Sequence, residues 1–423
     1  MSEDEQGDHS PPTLITAPRG GSVSLITDND GLARLIDRID PGAPVAIDAE
    51  RAQSFRYSPR AYLVQLRQSA CGTHMLDPIA LAGDAPMADL RKLGDALAGC
   101  EWVLHAASQD LPCLAEMGMK PHRLFDTELA GRLLDLPKVS ISPMLTQFLG
   151  IELAKAHSAD DWSRRPLPED SLDYAALDVD YLLELRDAVA LALDEAGKAE
   201  WARQEFDDVM SRFAITPSQD EERWRHTKGL GHLHQPREFA VARSLWQQRD
   251  DIARRLDIFP GRILSDAQLT NAATVLAALK QGQVASTLPT IDGFGGRFAR
   301  RHISLWTNAV EDALKLKPSL LPRTIHGHEV PPPRFWQQMN PAASQRWELA
   351  RPVVLAVALQ HQVPPENLMT VSTLATLIWQ SDADFSEAGL RAVMMAHQVR
   401  PWQQDLLAPA LAEVLSAPRT GRR

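Results

Sequence analysis

The chain has 423 residues, 44% of them hydrophobic and 23% charged, the profile of a soluble protein of two or three domains. Its net charge of −11 argues at first against a nucleic-acid partner. No run of about 18 apolar residues offers a membrane span, and the start MSEDEQGDHSPP lacks the basic and apolar segments of a signal peptide.

In chain order, residues 1–21 show no periodicity and read as a disordered tail. Strand-like runs follow at 23–27, 44–50, 61–68, 74–76 and 102–104, with helices predicted from Asp28/Asp30 to Asp37 and over 89–97. Helices are then predicted over 110–117, 127–134 and 171–193. Strands alternating with helices indicate an α/β domain of about 180 residues. After Trp201 strand signals nearly vanish. Pro217 and Asp220–Glu222 mark one linker, and the prolines of 318–341 mark a second. Two segments repeat at an offset of 105 residues: Pro260 to Leu269 in IFPGRILSDAQL, and Pro365 to Leu374 in VPPENLMTVSTL.

Charge is unevenly distributed. Residues 36–200 hold 16 basic and 27 acidic residues, net −11, whereas 225–318 hold 14 and 8, net +6, and 319–423 hold 9 and 8, net +1. An acidic module that gathers cations, followed by a basic one that holds a polyanion, reads this way. The cysteines Cys71, Cys100 and Cys113 share no metal-ligand spacing, which points to a reducing cytoplasm and not to a disulfide or zinc framework.

Three short patterns carry chemistry. In Asp48–Ala49–Glu50, at the end of an apolar strand, positions two apart share a face, so two hard carboxylate donors project together. Asp110, in HAASQD after the strand 102–104, stands either as an acid for the site or as a helix N-cap, with His105 closing the strand end. Tyr174 and Asp178, four apart, lie one turn apart on a helix face, while Asp180 and Tyr181 fall on other faces.

D-x-E, an Asp about 60 residues on and Y-x-x-x-D about 64 further on together resemble the DEDD exonucleases, the tyrosine marking the DEDDy branch. The stretches VAIDAE, RYSPRAYLVQL, VLHAASQDL and DDWSRRPLPEDSLDYAALDVDYLL, over about residues 23–205, are similar to the ribonuclease D family. The resemblance implies a ribonuclease H-like α/β exonuclease domain (22–210), an all-α HRDC domain (211–318), a proline-rich linker (319–341) and a second HRDC-like domain (342–417). It implies Asp48, Glu50, Asp110 and Asp178 as ligands of two divalent ions, Mg²⁺ or Mn²⁺. Asp48 bridges them, Glu50 and Asp178 hold one, and Asp110 reaches the other. Tyr174 orients the attacking water, and Gln65, Lys155 and Arg165 touch substrate. The implied activity is 3′→5′ trimming of single-stranded RNA ends, with transfer RNA precursors as substrates, by a cytoplasmic monomer. The alternatives are a DNA exonuclease of the Werner type, a non-catalytic RNA-binding adaptor and a metal-independent helical scaffold. One departure from the family is Arg51, where a bulky apolar residue is usual. Alternation directs it away from the Asp48/Glu50 face.

Overall fold

The computed structural model describes residues 11–21, 23–154, 160–213, 222–323, 330–380 and 384–416. They form two compact units, one of Met1–Arg51, Arg60–Pro217 and Pro332–Arg423, the other of Ala52–Pro59 and Ser218–Pro331.

The first unit is built on eight strands: β1 (Thr13–Ile15), β2 (Ser24–Ile26), β3 (Val45–Arg51), β4 (Ala61–Gln68), β5 (Gly72–Leu76), β6 (Trp102–Leu104), β7 (Leu124–Asp126) and β8 (Ile151–Leu153). Six make one mixed sheet in the order β2-β5-β4-β3-β6-β7. β3 and β5 run antiparallel to β4, and the remaining neighbours pair parallel. This is the ribonuclease H-like exonuclease sheet that the resemblance implies. β3 lies between β4 and β6, and helices Glu169–Asp180 and Leu182–Glu195 pack on it. Val45, Ala46, Ile47 and Ala49 are therefore buried, which explains a nearly continuous apolar run in place of clean alternation.

Two expectations change here. The tail does not reach residue 21 as unstructured chain: β1 pairs parallel with β8, and the Arg19 amide donates to Asp180. A three-residue strand has too little length for periodicity, and its partner lies far away in sequence. The helix expected over 171–193 is two helices that meet at Tyr181, whose φ of −118° is not helical. The carboxylate of Asp180, fully buried, accepts from Thr73 Oγ1 at 2.5 Å where the first helix ends.

The C-terminal helices Pro341–Gln360, Val371–Trp379, Glu387–Ala396 and Pro401–Leu415 belong to the same unit. The second linker is shorter than the prolines imply. Trp336, fully buried, starts a helical turn and packs its ring 5.6 Å from Trp347 and 5.0 Å from Trp379. Proline fixes φ locally but says nothing about whether a neighbouring tryptophan finds a core.

The second unit packs the helices Pro236–Leu256, Asp266–Ala277 and Ile303–Leu314 around Trp224, Phe239, Leu269, Phe294 and Trp306. Its segment Ala52–Pro59 is held by Tyr57 Oη donating to Asp250 at 2.9 Å, the Ser58 amide donating to Asp257 at 3.0 Å and Arg262 donating to the Ser54 carbonyl at 2.7 Å. The repeated motif has the same local form in both units. A one-turn helix begins at Pro260 or Pro365, one extended residue follows (Leu264, φ −157°; Met369, φ −159°), and Ser265 or Thr370 caps the next helix through its side chain.

Candidate active site

Asp48 and Glu50 leave β3 on one face. Asp48 lies in register with Gln65 of β4, and Glu50 with Leu63. Tyr174 and Asp178 come from the helix Glu169–Asp180, which packs on β3, β4 and β5 through a buried face that includes Ala175 and Val179. Carboxylate oxygens of Asp48, Glu50 and Asp178 all lie within 4.8 Å of one another. Asp178 is thus brought from 128 residues beyond Glu50 to join the pair.

Asp110 enters from the other side. β6 ends at Leu104, and Ala106 then takes a left-handed φ of 62°. Asp126 steadies this turn, since its carboxylate accepts from the amides of Ala106 (3.0 Å) and Ala107 (2.8 Å) while also capping the helix Thr127–Leu133. Asp110 precedes the helix Leu111–Glu116, yet its side chain makes no capping bond there. Its carboxyl instead lies against that of Asp48, which therefore adjoins both Asp110 and the pair Glu50 and Asp178. His105 is closed off by Thr127 Oγ1 at 2.9 Å, and burial lowers its pKa to about 4, so it is a neutral structural imidazole at pH 7.

Electrostatics fit a cation site. Burial, then Asp48 and Asp178, push the Glu50 carboxyl up to about 9. Burial and the negative charge of Asp48 raise both Asp110 and Asp178 well above the usual carboxylate range. Asp48 is raised by burial as well. Carboxylates crowded in this way repel unless protons or cations lie between them. Hard oxygen donors of this number suit Mg²⁺ or Mn²⁺. Gln65, fully buried and in register with Asp48, leaves both amide atoms without a hydrogen-bond partner. The Tyr174 hydroxyl is pushed up to about 12 by burial first and by Asp178, Glu50 and Asp48 next, and it keeps its proton at neutral pH.

The remaining sequence candidates fall differently. Arg165 is an exposed residue whose guanidinium is tied down on the protein surface. It forks onto Asp77 through Nε (2.7 Å) and Nη2 (2.7 Å) and donates to the carbonyls of Tyr62 and Trp162. Lys155 lies outside the described residues. Asp180 points away from the cluster, to Thr73 and Arg67. Arg51 does not follow strand alternation. The ladder shifts register between Glu50 and Arg51, and Nη2 of Arg51 reaches to 3.8 Å from Asp110 Oδ1 and 3.4 Å from Gln109 Oε1. A bulge re-aims the side chain after it, and a two-residue period cannot anticipate that.

The sequence reading missed a cavity of about 690 Å³ that runs from Tyr174 and Asp178 to Lys138, with Ile141, Leu153 and Leu177 among its apolar lining. Lys138 is exposed and has no side-chain partner among the described residues. Nothing in LPKVS marks it, because loop residues carry no periodic signal.

A family profile described as "3'-5' exonuclease" matches residues 23–194, one described as "HRDC domain" matches 238–310, and one described as "3' to 5' exonuclease C-terminal domain" matches 329–415. The ribonuclease D of Zymomonas mobilis is 31% identical over 314 residues, 71% of this chain and 75% of that protein. A crystal structure of a protein from Bifidobacterium adolescentis superposes with a TM-score of 0.81 at 30% identity, covering 96% of this chain and 100% of the other. The structure of Escherichia coli RNase D, an exoribonuclease involved in structured RNA processing, gives a TM-score of 0.68 at 23% identity over 93% of this chain and 98% of that one.

Proposed function

The chain belongs to the ribonuclease D family, and from that premise we propose how this 3′→5′ exoribonuclease works: it trims the 3′ ends of structured RNA, transfer RNA precursors in particular, and releases nucleoside 5′-monophosphates. The observation that carries the reading is the convergence of Asp48, Glu50 and Asp178 within 4.8 Å, with Asp110 against Asp48 and Tyr174 beside Asp178. Asp48, Glu50 and Asp178 would hold one divalent ion, and Asp48 with Asp110 a second. When bound, such ions supply an activated water and neutralise the charge that develops on the phosphoryl oxygens. Tyr174, a neutral donor throughout the physiological range, holds the attacking water in line. Gln65 holds two unpaired amide atoms beside Asp48. Arg165 we read as a clamp between Asp77 and the carbonyls of Tyr62 and Trp162, not as a substrate contact.

An acidic nuclease repels a phosphate chain except at its cations, so another surface must hold the RNA. The basic region 225–318 supplies it, but not through every arginine. Arg237, Arg254 and Arg262 have partners within their own unit: the Leu314 carbonyl, Asp250 and the Ser54 carbonyl. Arg297, Arg300 and Arg301 are exposed, carry no side-chain partner among the described residues, and flank the exposed Phe298. Arginines beside an aromatic face suit a single-stranded nucleic acid. Three free, buried cysteines agree with a reducing cytoplasm.

Matched 3′-labelled single-stranded RNA and DNA, each with Mn²⁺ or with EDTA, test the reading. Metal-dependent release of labelled monophosphate from RNA is the expected result. Preference for DNA would favour the Werner-type alternative, and no release from either would leave an adaptor.

A further inference from the structure

Arg51 is a cation at the edge of the carboxylate cluster. Its guanidinium lies 3.8 Å from Asp110 Oδ1, with its side chain 18% exposed and that of Asp110 7%. Gln109 accepts from the same nitrogen at 3.4 Å and keeps the group turned inward. Among the described residues no other arginine or lysine forms an ion pair with Asp48, Glu50, Asp110 or Asp178. The asymmetry is one-sided: Asp48, Glu50 and Asp178 meet with no cation between them, whereas Asp110 already faces one.

We propose that Arg51 is a resident counter-cation that sets the divalent-ion affinity of the Asp110 side of the site. The inference rests on the two-ion reading above. A guanidinium cannot shed its proton near neutral pH, so it cannot be neutralised when a metal arrives. An ion entering between Asp48 and Asp110 must either bear its repulsion or swing it outward, away from Gln109. The Asp48–Glu50–Asp178 side feels Arg51 only without a direct ion pair and carries a smaller penalty. The ions therefore bind unequally, and Arg51 is one cause of the difference. It acts through Asp110 and is a positioning residue.

Mn²⁺ binding to the full chain without RNA, followed by the loss of the free-ion signal in electron paramagnetic resonance, tests this. The wild type is expected to show a tight and a weak class. In Arg51→Gln the weak class should tighten about tenfold, the scale on which groups behind a metal ligand tune affinity, while the tight class stays within about twofold. Arg51→Lys, which keeps the charge, should resemble the wild type and shows that the position tolerates substitution. An Arg51→Gln isotherm that matches the wild type, or an equal shift in both classes, overturns the proposal. Two equal classes in the wild type overturn it while leaving two ions in place. A single ion in every variant removes the two-ion reading itself, and this inference with it.

Discussion

Tyr174 shows how one residue's environment separates two roles that the sequence leaves joined. With its hydroxyl pushed up to about 12, it contributes no charge to cation binding at pH 7. Tyr174→Phe should lower kcat by a factor on the order of 10² or more, the usual scale for a positioned proton donor or acceptor, with Mn²⁺ affinity nearly unchanged. Asp48→Asn should lose both, since Asp48 joins Asp110 to the other carboxylates. Full turnover in Tyr174→Phe would make the tyrosine a structural residue only. His105 makes a second residue-scale prediction. Its folded pKa of about 4 lies below the ordinary 6.5 because burial disfavours the charged ring. The unfolded chain therefore binds one more proton between those values, and stability is present above pH 6.5 and lost as pH falls toward 4. His105→Gln should flatten that acid limb in a series of Tm measurements from pH 7 to 4.5. Limbs of equal slope in the two proteins would show that the imidazole is not linked to folding.

At the scale of elements, the turn from β6 into the helix Leu111–Glu116 positions Asp110. The left-handed Ala106 is an unfavourable conformation for a residue with a Cβ, and the Asp126 carboxylate holds it by accepting from Ala106 and Ala107. The same carboxylate caps the next helix through the amides of Glu128 and Leu129. Asp126→Ala removes a cap, typically about 1 kcal/mol, and leaves buried amides unpaired at about 1–3 kcal/mol each. A loss of at least about 2 kcal/mol in denaturant unfolding is expected, together with weaker Mn²⁺ binding as Asp110 loses its support. Unchanged metal binding in a destabilised protein would separate the turn from the site.

On the scale of the whole molecule, the C-terminal helices are fastened to the nuclease within one unit. Lys198 Nζ donates to the carbonyls of Leu133 (2.7 Å) and Gln362 (2.8 Å), Glu205 accepts from Arg400 (2.7 Å) and Trp402 Nε1 (2.9 Å), and Trp201 stacks on Trp402 at 4.7 Å. Trp402→Ala should cost about 3–5 kcal/mol, as large buried aromatics do, and so lower the Tm of the catalytic unit. A Tm unchanged by the substitution would mean that the C-terminal helices are not part of the catalytic unit's cooperative fold. RNA binding is tested on the full chain, because cutting away the helices would also strip Lys198 and Glu205 of partners. Changing Arg297, Arg300 and Arg301 together to Ala should weaken binding of single-stranded RNA. It should also reduce the slope of log K against log salt by about 0.7 for each phosphate released. A slope equal to the wild type's would remove this face from the RNA path.

What the sequence determined by itself lies within single elements. Asp48 with Glu50, and Tyr174 with Asp178, could be paired from spacing alone, because strand and helix periods follow from covalent geometry. The order of strands and helices likewise placed them on an α/β sheet, and the family resemblance joined the two pairs before any contact was seen. Tertiary structure decided the rest. Whether Asp110 caps a helix or meets Asp48 depends on a turn held by Asp126, 16 residues away. That Arg165 forks onto Asp77, and that Trp336 lies in a core and not in a linker, depends on partners that no local period encodes. Arg51 marks the boundary between the two. Alternation aimed it one way, and a register shift in the pairing with β4 turned it toward Asp110. Side-chain direction is a local property only while the ladder stays regular, and the ladder is set by the neighbouring strand.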